Sequence, residues 1–135
     1  MAHAKFPVEI LTPEGEVFNG EVEMVSTRTT LGQIGILARH SPLLATLEPT
    51  ELRLYKTETE VVRFAQSEGY LQVGDNHALL LVEEVHAVAD LDADDLRERL
   101  GVVERTLEEA GEGTERRQMA ERDRRRLERF LSLTE

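Results

Sequence analysis

The 135-residue chain changes its hydrophobic periodicity near Asp90, and this change constrains its fold more than any other feature. Before Asp90, short runs rich in Val, Ile and Leu alternate with turn signals built from Gly, Pro and Asn. After Asp90 there is no proline, and the apolar residues recur at spacings of three and four. The first pattern is typical of β-strands and the second of α-helices. We therefore predict two domains, at residues 1–90 and 91–135.

Turn signals in the first domain fall at intervals of roughly 8 to 12 residues, which favours an all-β sandwich or flattened barrel. Pro13-Glu14-Gly15 and Asn19-Gly20 each interrupt apolar runs at spacings that predict hairpin turns. Gly74-Asp75-Asn76 separates the apolar run at 70–73 from the run at 78–82. The expected N-terminal fold is therefore all-β.

Two helices are predicted in the second domain. Asp92 suits the N-cap of the first, because its carboxylate can accept from the free backbone amides of the first turn. The apolar stripe of this helix comprises Leu96, Leu100, Val103 and Leu107. After a break at Gly111–Thr114, residues 115–131 form a second helix whose apolar residues are Met119, Leu127, Phe130 and Leu131. The C-terminal domain is thus predicted to be an antiparallel two-helix hairpin.

Residues 32–44, GQIGILARHSPLL, combine paired glycines, a His-x-Pro step and several apolar side chains. Gly32 and Gly35 permit tight backbone geometry, and Pro42 fixes its own φ. The segment carries more apolar surface than a plain turn needs. We predict a shaped loop suited to docking rather than to catalysis.

Composition excludes several classes of function. The formal net charge of −11 opposes binding to nucleic acids and to anionic membrane surfaces. The chain has no Cys, which excludes disulfides, zinc–thiolate sites and thiol catalysis. The longest nearly apolar run, 78–82, is far shorter than the about 20 residues of a membrane-spanning helix. The N-terminus shows no secretory or transit pattern, so we expect no such peptide and only indirect membrane association.

Neither a catalytic nor a metal site is predicted. The four histidines are too dispersed to show metal-ligand spacing. His40-Ser41 lacks the glycines of a nucleophile elbow, and Gly32–Gly35 lacks the lysine of a phosphate loop. Adjacent acids such as Glu83-Glu84 point to opposite faces of a strand. We expect no catalytic residue, metal or cofactor.

The second predicted helix carries a dense set of arginines in an otherwise acidic chain. Residues 1–90 hold 14 acidic and 6 basic side chains, whereas residues 91–135 hold 13 and 10. The cluster is either a solvated face with pairs such as Glu121 with Arg125, or a surface that meets carboxylates through the planar guanidinium fork. Its principal members are Arg122, Arg124, Arg125, Arg126 and Arg129.

A family resemblance is carried by three stretches: VEILTPEGEVF at 8–18, GQIGILARHSPLLATL at 32–47 and SEGYLQV at 67–73. Together they resemble the epsilon subunit of bacterial F-type rotary ATP synthases, and the resemblance spans almost the whole chain. It implies a sandwich of about ten strands followed by a two-helix hairpin. It also implies a mechanical, non-catalytic central-stalk subunit that couples a proton-driven c-ring to rotation of the gamma subunit.

The resemblance further implies partner contacts for individual residues. Gly32, Gln33, Ile34 and Gly35 would form a loop facing the c-ring, while His40, Pro42 and Leu43 would lie at the gamma contact. Many relatives have an acidic residue at the position of Gln33, so the neutral amide predicts a weaker electrostatic contribution. For His40, capping of its own loop is an equally good interpretation.

For the hairpin, the resemblance implies an inhibitory role. In the family the hairpin can extend along gamma and obstruct rotation in the direction of ATP hydrolysis. The five arginines would then meet acidic segments of the alpha and beta catalytic subunits. Some relatives bind ATP at the hairpin base, but Asp95 stands where their motif has arginine, so no nucleotide is expected and Asp92 is only a weak candidate.

Two other functions compete with the rotor-subunit hypothesis. One is an unrelated β-sandwich adaptor whose arginine-rich hairpin binds an acidic protein. The other is a nucleic-acid module, which the total charge and the scarcity of aromatic residues disfavour. The rotor hypothesis places the chain at the cytoplasmic face of a bacterial plasma membrane, as a peripheral part of the complex.

Overall fold

The structure, a computed structural model, describes residues 3–135. The chain forms two compact units, one ending at Ala87 and the other beginning at Val88. The first unit is all-β and the second is helical. Each unit is described separately below.

The all-β unit is a sandwich of two five-stranded layers within the described residues. The predicted ten-stranded sandwich is confirmed, with strands β1 Phe6–Thr12, β2 Gly15–Val22, β3 Met24–Thr29, β4 Gly32–Leu37, β5 Leu43–Leu47, β6 Thr50–Tyr55, β7 Val61–Gln66, β8 Gly69–Gly74, β9 His77–Val82 and β10 Val85–Ala87. One layer has the order β10-β7-β6-β3-β4 and the other β5-β8-β9-β1-β2. The layers join where Thr29 of β3 pairs with Leu47 of β5.

One hydrophobic core fills the space between the layers. Because side chains alternate across a strand, every second residue points inward. The inward residues of β1 are Phe6, Val8 and Ile10, and all three are buried. Strand β9 runs parallel to β1, pairing Val8 with Ala78 and Ile10 with Leu80. These pairs align two apolar strands at the centre of their layer.

A buried polar link joins strands β3 and β7 to the β5–β6 connection. Thr27 Oγ1 donates to Gln66 Oε1 at 2.7 Å, and Gln66 Nε2 donates to the Glu48 carbonyl oxygen at 2.9 Å. Gln66 is fully buried, so both ends of its amide would be costly to leave unbonded. Throughout residues 3–135, no buried side-chain nitrogen or oxygen lacks a partner.

The hairpin turn predicted at Asn19-Gly20 is wrong. Both residues lie inside β2, where Asn19 pairs with Glu9 and Gly20 with Val8 of β1. The long partner strand β1 overrides the local turn signal, since its pairing satisfies the backbone of β2 on both sides of Gly20. The absence of a Cβ at Gly20 leaves room for the Phe18 ring, whose nearest atom would lie 3.3 Å from such a Cβ.

The helical unit begins with a 3₁₀ turn at Val88–Asp90, followed by α1 at Ala93–Glu109 and α2 at Glu115–Ser132. Asp92 caps α1 as predicted, because its Oδ1 accepts from the backbone amides of Asp94 and Asp95 at 3.0 and 3.3 Å. The predicted second helix and the two-helix hairpin are confirmed.

Arg117 joins the start of α2 to the end of α1. Arg117 Nη1 donates to the Leu107 carbonyl oxygen at 2.9 Å and to that of Ala110 at 3.4 Å. These carbonyls are at the C-terminal end of α1, where the helix dipole favours a cation. Thr114 Oγ1 caps α2 by accepting from the Arg117 amide at 3.2 Å.

The buried face of α2 includes Leu127 and Phe130 of the predicted stripe, whereas Leu131 is half-buried and Met119 is exposed. Met119 is 49% exposed, whereas Ala120 is buried together with Leu127 and Phe130. At about 100° per residue, Ala120 lies roughly 20° from Leu127 around the helix and Met119 roughly 80°. The larger angular offset turns Met119 towards solvent despite its hydrophobicity.

A charged cluster lies on the outer face of the layer containing β6 and β7. Glu51 accepts from Arg53 and from Arg63, the latter at 2.5 Å. The Glu51 side chain is 11% exposed and each arginine side chain 50%. The hydrogen bond from Arg63 is the main cause that lowers the pKa of Glu51; burial opposes it and Arg53 assists. The same pairing raises the pKa of both arginines.

We predict that Gly69→Ala destabilises the sandwich by about 3 kcal/mol, because the added Cβ has no room. A Cβ at Gly69 would lie 2.1 Å from the Leu81 carbonyl oxygen and 2.9 Å from the Val82 Cα. Chemical denaturation measures the change. Gly74→Ala, on the same strand with nothing within 4 Å, is the matched control and should leave stability nearly unchanged. Equal effects of the two variants would refute this explanation.

We also predict that Glu51→Gln lowers stability by about 1 kcal/mol at pH 7, and that this difference shrinks as the pH falls below about 4.3. The folded-state pKa of Glu51 is lowered, so the carboxylate stabilises the fold above the ordinary glutamate pKa of about 4.3 and ceases to do so as it protonates. Denaturation at several pH values tests this. The exposed Glu21→Gln serves as control, and a Glu51→Gln effect independent of pH would contradict the prediction.

Candidate partner-binding surfaces

The first candidate surface is the tip of the β3–β4 hairpin. Gly32, Gln33, Ile34 and Gly35 lie in strand β4 and not in the predicted loop, which is confined to Thr30 and Leu31. The strand extends this far because β3 pairs with β4 over its whole length, from Met24–Leu37 to Thr29–Gly32. Turn signals alone did not reveal the extent of this hairpin ladder.

The strand places these four residues on two faces. Ile34 is half-buried and packs against the core, whereas Gln33 and Gly35 are exposed on the outer face. Gly32 has φ +122°, a conformation that favours glycine, and closes the turn. Among these four residues, Gln33 has the one outward polar side chain, so the polar contact expected with a partner falls to Gln33.

The second candidate surface begins at the β4–β5 connection. Arg39 has φ +63°, and its backbone amide donates to Asn76 Oδ1 at 2.7 Å. This bond ties the connection to the β8–β9 turn, where Asp75 and Asn76 also have positive φ. His40 Nδ1 donates to the Ser41 carbonyl oxygen at 2.7 Å, which matches the loop-capping interpretation of His40. The connection is thus held in one conformation.

Pro42 and Leu43 follow this connection. Pro42 is exposed, and Leu43 is half-buried against the core at the start of β5. Both line a shallow cavity with Leu44, Gln72 and Val73. Leu44, which was not among the predicted contact residues, is 75% exposed.

Leu44 belongs to a larger apolar surface on the outer side of β5, β8, β9 and β1. Strand register puts Thr46 opposite Tyr70, Tyr70 opposite Leu81 and Leu81 opposite Leu11. The exposed apolar members are Leu44, Tyr70 at 58% and Leu81 at 41%, with Leu11 and Leu79 half-buried. We call these five residues the apolar sheet face.

The sequence contained a signal for the apolar sheet face that strand pattern alone did not resolve. Leu79, Leu80 and Leu81 are consecutive, although a strand buried on one side needs only alternate apolar residues. Leu80 fills the core, so Leu79 and Leu81 are not required there. By contrast, the outer side of the other layer carries Glu51, Arg53 and Arg63. Contiguous apolar surface of this kind marks interaction sites.

The arginines of α2 do not form one uniform face. Arg122, Arg125 and Arg129 are exposed and fall within about 60° around the helix. Arg124 lies on another side and pairs with Glu128 at 3.5 Å. Arg126 is half-buried, 3.9 Å from Asp123, and lines a cavity between α1 and α2. We call Arg122, Arg125 and Arg129 the arginine stripe.

The described part of the chain contains neither a group of metal ligands nor a membrane-spanning helix. Within residues 3–135, no group of three or more His, Asp or Glu side chains is arranged to hold a metal ion. None of the helices there is long and apolar enough to cross a membrane. The carboxylate of Asp92, the weak nucleotide candidate, accepts hydrogen bonds from backbone amides of α1. Asp94 pairs with Arg97 at 3.0 Å.

Sequence relatives are found over both units. The chain is 32% identical over 128 residues to the ATP synthase epsilon chain of a Sulfurihydrogenibium species, which covers 95% of this chain and 96% of the relative. It is 36% identical over 104 residues to the ATP synthase epsilon chain of Persephonella marina, covering 77% and 76%.

Two solved structures share the fold. A chain in the cryo-EM structure of the Euglena gracilis mitochondrial ATP synthase has a TM-score of 0.78 at 18% identity, covering 96% of this chain and 81% of that chain. A chain of the Tetrahymena thermophila mitochondrial ATP synthase central stalk and c-ring has a TM-score of 0.62 at 19% identity, with both chains covered fully.

The sandwich itself matches a family model. Residues 5–88 fit the model of the β-sandwich domain of ATP synthase delta and epsilon chains. Together with the relatives, this match confirms the resemblance carried by 8–18, 32–47 and 67–73. The chain belongs to the ATP synthase delta/epsilon chain family, and its sequence relatives are epsilon chains.

Proposed function

We propose that this chain is a non-catalytic central-stalk subunit of a proton-translocating F-type ATP synthase, coupling the c-ring to rotation of gamma. The observation that carries the proposal is the epsilon-chain relationship, which extends over 95% of the chain. The chain would act at the cytoplasmic face of a bacterial plasma membrane, as a peripheral component of the complex. Its work is mechanical: it binds partners and transmits force without breaking bonds.

In this proposal the gamma subunit binds the apolar sheet face together with His40, Pro42 and Leu43. Support comes from the exposed Leu44 and Tyr70, which the core does not use. A partner that covers them removes their apolar surface from water, which stabilises the complex by about 25 cal/mol per Å² of area buried. The bond from Arg39 to Asn76 fixes the adjoining loop before binding, which reduces the entropy lost on docking.

The c-ring is assigned to the β3–β4 tip with Gly32, Gln33, Ile34 and Gly35. Strand β4 runs six residues from this tip to Leu37, and the His40 connection follows directly. At about 3.3 Å per residue, the two ends of β4 are roughly 17 Å apart. The two partners can therefore be held at opposite ends of one strand, which the ladder to β3 stiffens.

The hairpin is assigned an inhibitory role through its arginines. The arginine stripe offers guanidinium groups that pair with carboxylates in a planar, bidentate geometry. Acidic segments on the alpha and beta subunits would be the partners when the hairpin obstructs rotation during hydrolysis. Arg124 lies on another side of α2 and Arg126 is half-buried, so the contact is assigned to the arginine stripe alone.

We predict that Leu44→Ser and Tyr70→Ser each weaken binding to purified gamma subunit about tenfold, because each removes buried apolar area from the contact. Isothermal titration with the full chain measures the dissociation constant. Leu37→Ser is the matched control, since Leu37 is 40% exposed on the outer side of the other layer. Unchanged binding by Leu44→Ser and Tyr70→Ser, with normal melting, would remove gamma from the apolar sheet face.

We also predict that the full chain slows ATP hydrolysis by the cognate catalytic complex containing gamma, whereas residues 1–90 do not. Both forms must first be shown to bind. Reversing the arginine stripe to glutamate should relieve the inhibition severalfold while leaving binding intact. The control reverses Arg97, Arg105 and Arg124, which are exposed away from the stripe and give the same change in net charge. Equal relief by both triple variants would show a general charge effect and no specific contact.

A further inference from the structure

Two hairpin tips of the sandwich have the same turn. One is Thr12-Pro13-Glu14-Gly15 between β1 and β2, and the other is Thr29-Thr30-Leu31-Gly32 between β3 and β4. In each, the first and fourth residues pair across the strands, Thr12 with Gly15 and Thr29 with Gly32. The closing glycines have nearly equal φ, +128° and +122°.

The hydrogen bonds of the two turns also correspond. Thr29 Oγ1 accepts from the Leu31 amide at 3.1 Å and donates to the Gly32 carbonyl oxygen at 3.0 Å. Thr12 Oγ1 accepts from the Glu14 amide at 3.1 Å and donates to the Gly15 carbonyl oxygen at 3.4 Å. Leu31 and Glu14 thus occupy the same position in the same turn.

Leu31 is not needed to form its turn. Glu14 is compatible with the same geometry, and Leu31 is 98% exposed, so it packs against nothing within the described sandwich. A fully exposed leucine on a turn held by side-chain hydrogen bonds is preorganised to enter a partner. Little conformational entropy remains to be lost there on binding.

The surroundings of Leu31 indicate what kind of partner it fits. Residues 29–38 contain no Asp, Glu, Lys or Arg, and this is the longest such stretch in a chain that is 32% charged. The nearest outward polar group on β4 is the neutral amide of Gln33, and the exposed Arg28 lies opposite it on β3. The protruding Leu31 side chain itself is apolar and suits an apolar recess on a partner, because its burial there removes apolar surface from water.

We propose that Leu31 is the apolar anchor of the chain on the c-ring, entering a recess between neighbouring c subunits, while Gln33 supplies a hydrogen bond beside it. The inference rests on the proposed function, which assigns this tip to the ring. It adds that burial of one leucine contributes about tenfold to the affinity of this contact.

The test uses the complex of the full chain with gamma and a purified c-ring in detergent. Leu31→Ala weakens ring binding about tenfold, and Leu31→Glu weakens it further. Leu31→Glu folds because Glu14 occupies the equivalent turn, and equal melting temperatures verify this. The matched control is Glu14→Ala at the other tip, which leaves ring binding unchanged.

A second readout locates the buried side chain directly. The chain has no Cys, so Leu31→Cys and Glu14→Cys each carry a single solvent-sensitive fluorophore. Addition of the ring shifts the emission of the label at Leu31 to the blue and leaves the label at Glu14 unchanged. If the wild type binds the ring, but the Leu31 variants bind equally well and the label at position 31 does not shift, the inference is overturned while the proposed function stands. Failure of the wild-type complex to bind the ring overturns the proposed function, and the inference with it.

Discussion

The structure depends on the burial of alternate strand residues from two layers in a single core. Val8, Ile10, Leu71 and Leu80 are fully buried from one layer, and the other layer meets them with residues such as Leu54. Because the side-chain period is two, this requirement fixes which residues face outward but leaves their chemistry undetermined. The outward residues of the two layers differ sharply. One layer presents the apolar sheet face and the other an ion-paired cluster around Glu51, so the core does not require the apolar side chains of that face.

Features set by local sequence were predictable. The change near Asp90, the Asp92 cap and the second helix depend on neighbours within a few residues, and each is present in the structure. Features set by strand pairing were missed. Asn19-Gly20 lies in a strand because β1 pairs with it, and Gly32–Gly35 lies in a strand because β3 does. The apolar sheet face escaped detection for the same reason, since Leu44, Tyr70 and Leu81 come together only through strand register.

The arrangement is suited to transmitting force. Strand β4 joins the tip assigned to the c-ring with the connection assigned to gamma, and its backbone is paired to β3 from Gly32 to Leu37. Preorganisation occurs at both ends, through Thr29 at the tip and through the Arg39–Asn76 bond at the connection. The hairpin has a much smaller core of its own, which includes Leu96, Leu107, Leu127 and Phe130. A sandwich with a large core and a hairpin with a small one agree with the proposed coupling subunit that carries a conditional brake.

The central claim is that this chain couples the ring to the catalytic complex, and ATP-driven proton pumping tests it most directly. Membrane vesicles that retain the ring would be reconstituted with a catalytic complex containing gamma, with or without the chain, and acidification of the vesicle lumen would be followed at matched rates of hydrolysis. The account predicts efficient pumping only when the chain is present. Equal pumping per ATP hydrolysed in its absence would contradict the account.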